Sequence, residues 1–296
     1  MLKKLTIALF SIWLSGLANA QNLTDFYGNP LPIEEQQKIE QEIQKLETRA
    51  NQGDMEAIFE VTQLYLYTGN EPKTIDWVNK MTENGYPEAV VILASVYNHG
   101  FHGFTQSSDK VFYYYSKAAN LGDVYSQLWL VDYYLGTRWI EGGVCDCGKA
   151  DYQKALEWAE KASALGSARA NQKIAEIYLY RDENPDYQKA IEYHNLAVKQ
   201  SKSQLQEQPT DGTAELELVW SYVDLGEIYY QLKDYQQAKI HFENAIDVAD
   251  YHAFRAYYGL SLMYRNGDGV PKDVNKADEL HKKSCELGYV PACENP

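Results

Sequence analysis

The chain has 296 residues and a formal net charge of −15; 45% of it is hydrophobic, 13% is aromatic and 25 residues are tyrosine. This acidic balance, with no cluster of Lys and Arg, excludes nucleic acid and an anionic membrane surface as partners, because both are held by concentrated positive charge. Nine prolines and nineteen glycines are too few for a disordered or collagen-like chain, and the length allows a substantial core in one elongated domain or two compact ones.

Residues 1–20 read as an export signal. Lys3 and Lys4 form a basic start, Leu5 to Leu17 is apolar, and Ala18-Asn19-Ala20 is a small-x-small cleavage site before Gln21. The apolar run is too short to span a bilayer comfortably. No cysteine follows it to carry a lipid, and no second long apolar run occurs. The expectation is a periplasmic or secreted protein in an oxidising compartment, with no membrane insertion after signal removal. Residues 21–32 have turn formers and no periodicity, and are expected to be a flexible arm. Residues 33–49 place Ile33, Ile39, Ile43 and Leu46 among Glu, Gln and Lys, as in a helix that caps the end of a helical array.

From residue 50 to 296 a repeat dominates. A small or apolar residue, three positions, Gly, three positions and usually Ala recur at Met81–Ala89, Ala118–Ser126, Ala162–Ala170 and Ser284–Ala292, with a degenerate copy at Ala50–Ala57. The intervals between Gly53, Gly85, Gly122 and Gly166 are 32, 37 and 44 residues, the spacing of helix-pair solenoids. The glycine suits a left-handed helix end, and Asp54, Asp123 or Ser167 then caps the next helix. Apolar stripes follow at helical spacing, as in Ile58, Val61, Leu64, Tyr65 and Ile174, Ile177, Tyr178. Residues 200–213 are polar and interrupt the repeat, predicting a long irregular loop there, with a boundary between two subdomains as the second option.

The segment from Ala256 to Ala292 carries Tyr264-Arg-Asn-Gly267-Asp-Gly269-Val270, then Asp273, Lys276-Ala277 and the closing Gly288. It resembles a complete unit of the Sel-one-like repeat (SLR) family, relatives of the tetratricopeptide repeats. Val223–Ala245 and Ala175–Ala197 resemble ordinary tetratricopeptide units more loosely. The resemblance covers roughly residues 46–296. It implies an all-α, right-handed solenoid of about six antiparallel helix pairs, with no cofactor, binding a protein or peptide as an adaptor in cell-envelope or host-contact processes. Some cysteine-rich SLR proteins are penicillin-binding or β-lactamase-like, so a hydrolase of that kind stays open as an alternative.

Cys285 and Cys293 are eight residues apart across the Gly288 turn, a spacing that can bring two Cβ atoms into bridging range. Cysteine-rich SLR proteins pair cysteines at this spacing, so the resemblance implies a disulfide in the last unit. Cys145 and Cys147 lie in Gly142-Gly-Val-Cys-Asp-Cys-Gly148. They are read as a disulfide stiffening an inserted turn, with thiol-redox exchange as the alternative. His99 and His102 share a turn without a carboxylate beside them, so no metal site is expected. Ser107-Ser-Asp-Lys110 matches the Ser-x-x-Lys of penicillin-binding enzymes. With 14 serines and 21 lysines in the chain, about one such match arises by chance, and a helix cap at Ser107 or Ser108 accounts for it equally. No catalytic set is assigned.

The tyrosines divide. Tyr97, Tyr178, Tyr229 and Tyr264 sit at helix-packing positions, whereas adjacent tyrosines cannot all point inward, since neighbouring helix positions diverge by about 100°. Tyr133, Tyr134, Tyr257 and Tyr258 are therefore the candidates for a concave partner-binding face.

Overall fold

The computed structural model describes residues 32–100, 104–137 and 150–294, and every regular element among them is helical. The helices fall into two compact units divided between Ala150 and Asp151. The first holds α1 (Ile33–Ala50), α2 (Met55–Tyr67), α3 (Glu71–Glu83), α4 (Val90–His99), α5 (Ser108–Asn120) and α6 (Val124–Tyr134). The second holds α7 (Tyr152–Ala164), α8 (Ala168–Tyr180), α9 (Tyr187–Glu207), α10 (Gly212–Gln231), α11 (Tyr235–Val248), α12 (Phe254–Asn266), α13 (Val274–Glu286) and the short α14 (Val290–Glu294). Within each unit successive helices pack on one another, and in the second α8 also touches α10 and α10 touches α12. This is the stacking of a helical-repeat solenoid, in which each element meets its sequence neighbours and its equivalent one repeat on. The export signal, residues 21–31 of the arm, His102, Cys145 and Cys147 lie outside the described residues.

The recurring glycine phrase does what its residues dictate. Gly122 has φ 95°, a conformation that costs other residues a clash at Cβ. Its N–H and that of Asp123 bond back to Ala119 and Ala118 at 3.1 Å, closing α5. The Asp123 carboxylate then accepts from Ser126 N–H at 2.7 Å and opens α6. Gly53 with Asp54 and Gly166 with Ser167 repeat the device. The N-terminal helix α1 packs on α2 and buries Leu46 and Ala50, while Ile33 at its start stays 73% exposed.

Residues 200–213 are not the long loop predicted from their polarity. Helix α9 continues to Glu207 and α10 begins at Gly212, capped by Asp211, which accepts from Thr213 N–H at 3.0 Å. Ile191, Val198 and Leu205, spaced seven apart, keep a narrow apolar seam on the core of α10 and α11. One apolar residue per two turns is enough to hold a helix against a partner, and too little to register as amphipathic.

The packing tyrosines close each helix pair on itself. Tyr97 of α4 is fully buried, stacks on Tyr114 of α5 at 5.6 Å and donates to Glu71 at 2.5 Å. Tyr178 stacks on Tyr193 at 5.8 Å and Tyr229 on His241 at 5.3 Å, while Tyr264 accepts from Lys276 at 2.8 Å. In the core of the second unit Phe242 of α11, 1% exposed, is wedged against Gly226 of α10 and Gly259 of α12.

Candidate functional site

The packing of α8, α10 and α12 makes the repeat add up on one surface. Counting back from the equivalent tyrosines Tyr178, Tyr229 and Tyr264, Arg169, Trp220 and Arg255 occupy the same place in three successive helices. Glu176 and Glu227 share another place, in the phrases Ala175-Glu-Ile-Tyr178 and Gly226-Glu-Ile-Tyr229. Equivalent positions of a solenoid point to one face, and these residues line a groove of about 610 Å³ in the second unit, walled also by Tyr180 and Tyr187.

Its charges are linked. Arg255 donates from Nε and Nη2 to the two carboxylate oxygens of Glu227 at 3.0 and 2.5 Å, and its Nη2 lies 3.1 Å from Asp224 Oδ1. Burial pushes both carboxyls up, and the guanidinium holds them part-way back. For Arg255 burial works against the charge, but Glu227 and Asp224 outweigh it and its pKa rises. The groove is open, so Asp224 and Arg255 keep 28% and 34% of their side-chain surface. Arg169 stands 4.9 Å over the Trp220 ring, and Gln172 donates to Ser221 Oγ at 2.9 Å and to the Glu217 carbonyl at 2.7 Å, tying α8 to α10.

His194 of α9 closes the floor, 2% exposed, with Nε2 4.0 Å from Asp224 Oδ2 and no partner for Nδ1. Burial, helped by the Arg255 charge, lowers its pKa to about 4, with Glu176 opposing. A depressed histidine contributes stability that is present above the unfolded value near 6.5 and lost as pH falls toward 4. Between pH 7 and 5 the wild-type chain should therefore lose about 2 kcal/mol more than the His194→Gln variant. The raised carboxyls of Asp224 and Glu227 act in the opposite sense, but they are present in both proteins and cancel in the comparison. Urea titrations of the pair at the two pH values check this; parallel losses would refute it.

The tyrosines expected to share a binding face fall two in each unit. Tyr133 and Tyr134 are on α6 of the first unit, half-buried against Phe112, at 4.8 and 6.3 Å. Tyr257 and Tyr258 are on α12 of the second, half-buried; Tyr257 packs on the Phe242 core, and Tyr258 lies between His281 and Tyr289 at 5.6 and 5.2 Å. None of these four lines the groove. Glu176, His194, Trp220, Asp224, Glu227 and Arg255 were missed, although the repeated Glu-Ile-Tyr phrase was a usable signal for two of them. Ser107 is the cap of α5: its Oγ accepts from Lys110 N–H at 3.3 Å, and the Lys110 ammonium binds Glu71 at 2.8 Å. His99 Nδ1 lies 2.9 Å from the Ser95 carbonyl. Among the described residues no group of three His, Cys, Asp or Glu could hold a metal, and no helix is long and apolar enough to cross a membrane.

Comparison with known proteins agrees with the repeat. The Sel1 repeat model matches residues 87–123, 132–167, 168–202 and 254–289, including the unit at 168–202 that reads as tetratricopeptide-like. The Sel1-repeat-containing protein YjcO of Escherichia coli strain K12 is 31% identical over 174 residues, covering 58% of this chain and 66% of that protein, just under two thirds of its length. A Sel1 repeat protein from Oxalobacter formigenes has the same fold, with a TM-score of 0.53, 21% identity, and coverage of 76% of this chain and 83% of that one. With four matched repeats and the turns and caps that build them, the chain is a Sel1-repeat protein, an all-α helical solenoid.

Proposed function

We propose that this chain is an exported scaffold that binds a polypeptide in the groove of α8, α10 and α12, serving as an adaptor in cell-envelope or host-contact processes. The observation that carries the reading is the line of equivalent positions, Arg169, Trp220 and Arg255, which gives three successive repeats one continuous recognition surface. Aromatic and arginine side chains in such a groove are the residue types that dominate protein interfaces. A photo-crosslinking residue in place of Tyr180, at the groove rim and 68% exposed, should capture a polypeptide in cells. The same residue in place of Glu243 or Lys282 on α11 and α13 should not. Equal capture from all three sites, or none from Tyr180, would overturn the reading.

Export rests on the signal-like residues 1–20. Lys3 and Lys4 would leave with that segment and no acid would, so the mature chain is more acidic still. Terminal-peptide mass spectrometry should find Gln21, or its cyclised form, as the first residue; an intact Met1 on exported protein would count against it.

An oxidising compartment suits Cys285 and Cys293, whose Cα atoms stand 4.9 Å apart, and we propose that they are bonded there. So short a loop limits the stabilisation to about 2–3 kcal/mol. Cys285→Ser should loosen α13 and α14 while the earlier helices keep their hydrogen-exchange protection. Non-reducing peptide maps should contain the 285–293 link, and free thiols at both positions would refute it.

A further inference from the structure

His194 stands where the neighbouring repeat has a phenylalanine. Four positions after the buried Ala190 and Ala238 come His194 of α9 and Phe242 of α11. Five positions before Tyr229 and Tyr264 come Asp224 of α10 and Gly259 of α12. At the second of these joints the Phe242 ring fills the gap between Gly226 and Gly259. At the first the equivalent pair is an imidazole and a carboxylate. His194 Nε2 is 4.0 Å from Asp224 Oδ2, beyond hydrogen-bond reach, and Nδ1 has no partner. Buried polar atoms are ordinarily satisfied, so His194 fills the place of an apolar ring without the hydrogen bonds that would settle it there.

The packing around the two rings differs in the same sense. Buried at the first joint are Ala175 of α8, Ala190 of α9 and Ile228 of α10, with Leu179, Tyr187, Ile191 and Tyr193 half-buried against them. At the second, Leu225, Leu260 and Met263 are buried with Phe242 in a core that continues through α10, α11 and α12. Segments with few buried apolar neighbours open first. The charges around His194 come from three helices: Asp224 and Glu227 of α10, Arg255 of α12, and Arg169 and the pair Lys173–Glu176 of α8. Tyr180 and Tyr187 line the same groove, and on α9 itself Lys189 and Glu192 hold each other.

We propose that the joint of α9 with α8 and α10 is an acid-operated release beneath the groove: a proton on His194 opens α9 around the ring, while α10, α11 and α12 stay packed about Phe242. The closed joint resists the proton, because burial and the Arg255 charge lower the pKa of His194 to about 4, with Glu176 opposing. Opening wets the ring and returns it to the ordinary value near 6.5. The open joint therefore binds the proton more tightly, and its population grows as pH falls through about 6.5 toward 4. Burial pushes the carboxyls of Asp224 and Glu227 up, so they hold protons better when closed and work against opening in acid. A substitution at His194 leaves both in place. His194 is part of the groove floor, so opening the joint makes the groove's hold on a polypeptide depend on pH. That consequence rests on the polypeptide-binding reading above; the opening itself does not.

Hydrogen exchange of the full chain at pH 7 and pH 5 tests this, read as protection factors so that the chemical pH dependence of exchange is removed. Protection of the α9 amides from Ala190 to Ala197 should fall about twentyfold more in the wild-type protein than in His194→Gln. Amides of α11 and α12 beside Phe242 should change alike in both. His194→Phe with Asp224→Gly, which copies the pair at the second joint, should also abolish the acid loss in α9. If that double variant folds poorly, His194→Gln decides alone. An equally large α9 loss in His194→Gln would assign the effect to the carboxyls and overturn the inference. A wild-type loss spread evenly over α8 to α12 would be global unfolding; it would overturn the local release and leave the stability difference between wild type and His194→Gln standing. Polypeptide capture at Tyr180 is independent of either outcome.

Discussion

Gly259→Val is expected to destabilise the second unit by about 3 kcal/mol, the upper range for overpacking a well-filled core. A Cβ at Gly259 would lie 2.6 Å from Phe242 Cε2, and one at Gly226 would lie 2.6 Å from Cδ1 of the same ring. The ring is held on both sides by helices that can approach only because each lacks a side chain at that point. It cannot swing away, since Leu225, Leu260 and Met263 fill the surrounding core. Alanine at either glycine should cost less, because better helix propensity returns about 1 kcal/mol. Phe242→Leu should recover much of the Gly259→Val loss by shortening the ring side. At Gly53 or Gly85 a Cβ meets nothing within 4 Å, so alanine there should cost only the left-handed backbone, about 1–2 kcal/mol. Urea midpoints of these variants decide the matter; a Gly259→Val protein as stable as wild type would dissolve the wedge.

Arg255→Met should lower stability by about 2 kcal/mol at pH 8, and by much less at pH 5. Removing one partner of a fully buried ion pair costs about 3–5 kcal/mol. The figure is reduced here because Asp224 and Glu227 keep 28% and 44% of their side-chain surface in an open groove. Without the guanidinium two carboxylates would face each other in a poorly solvated site, and their already raised pKa values would climb further. A group whose folded pKa lies above its unfolded value contributes stability at low pH and loses it as pH rises through the folded value. The penalty must therefore shrink on acidification. Guanidinium chloride is unsuitable for this measurement, since it screens the charges; urea titrations across the range would show the trend, and a penalty independent of pH would refute the electrostatic account.

The repeat was legible because it is local. Gly122 and Asp123 make a helix stop and a helix start from backbone conformation and one side-chain hydrogen bond, neither of which depends on the rest of the fold. The same locality made Ser107 readable as a cap rather than a nucleophile. The helical course of residues 200–207 was not legible. The seam of Ile191, Val198 and Leu205 acquires meaning only against α10 and α11, and the surrounding Gln, Lys and Ser read as loop. The candidate groove was missed for a related reason. Single acidic and basic residues on a helix look like solvated surface, and adjacent tyrosines stood out more in the sequence; Tyr257 and Tyr258 are half-buried in helix packing.

By itself the sequence determined the all-helical repeat, its phase and its caps, because these follow from conformational preferences of single residues and from periodicity along the chain. Only tertiary structure decided which charges meet. Arg255 reaches Glu227, 28 residues earlier, and Gln172 reaches Ser221, 49 residues on, because the helices at one repeat spacing lie side by side. Coulomb and hydrogen-bond energies depend on separation in space, and that separation is fixed by how close the cores, with their glycines at Gly226 and Gly259, let the helices approach.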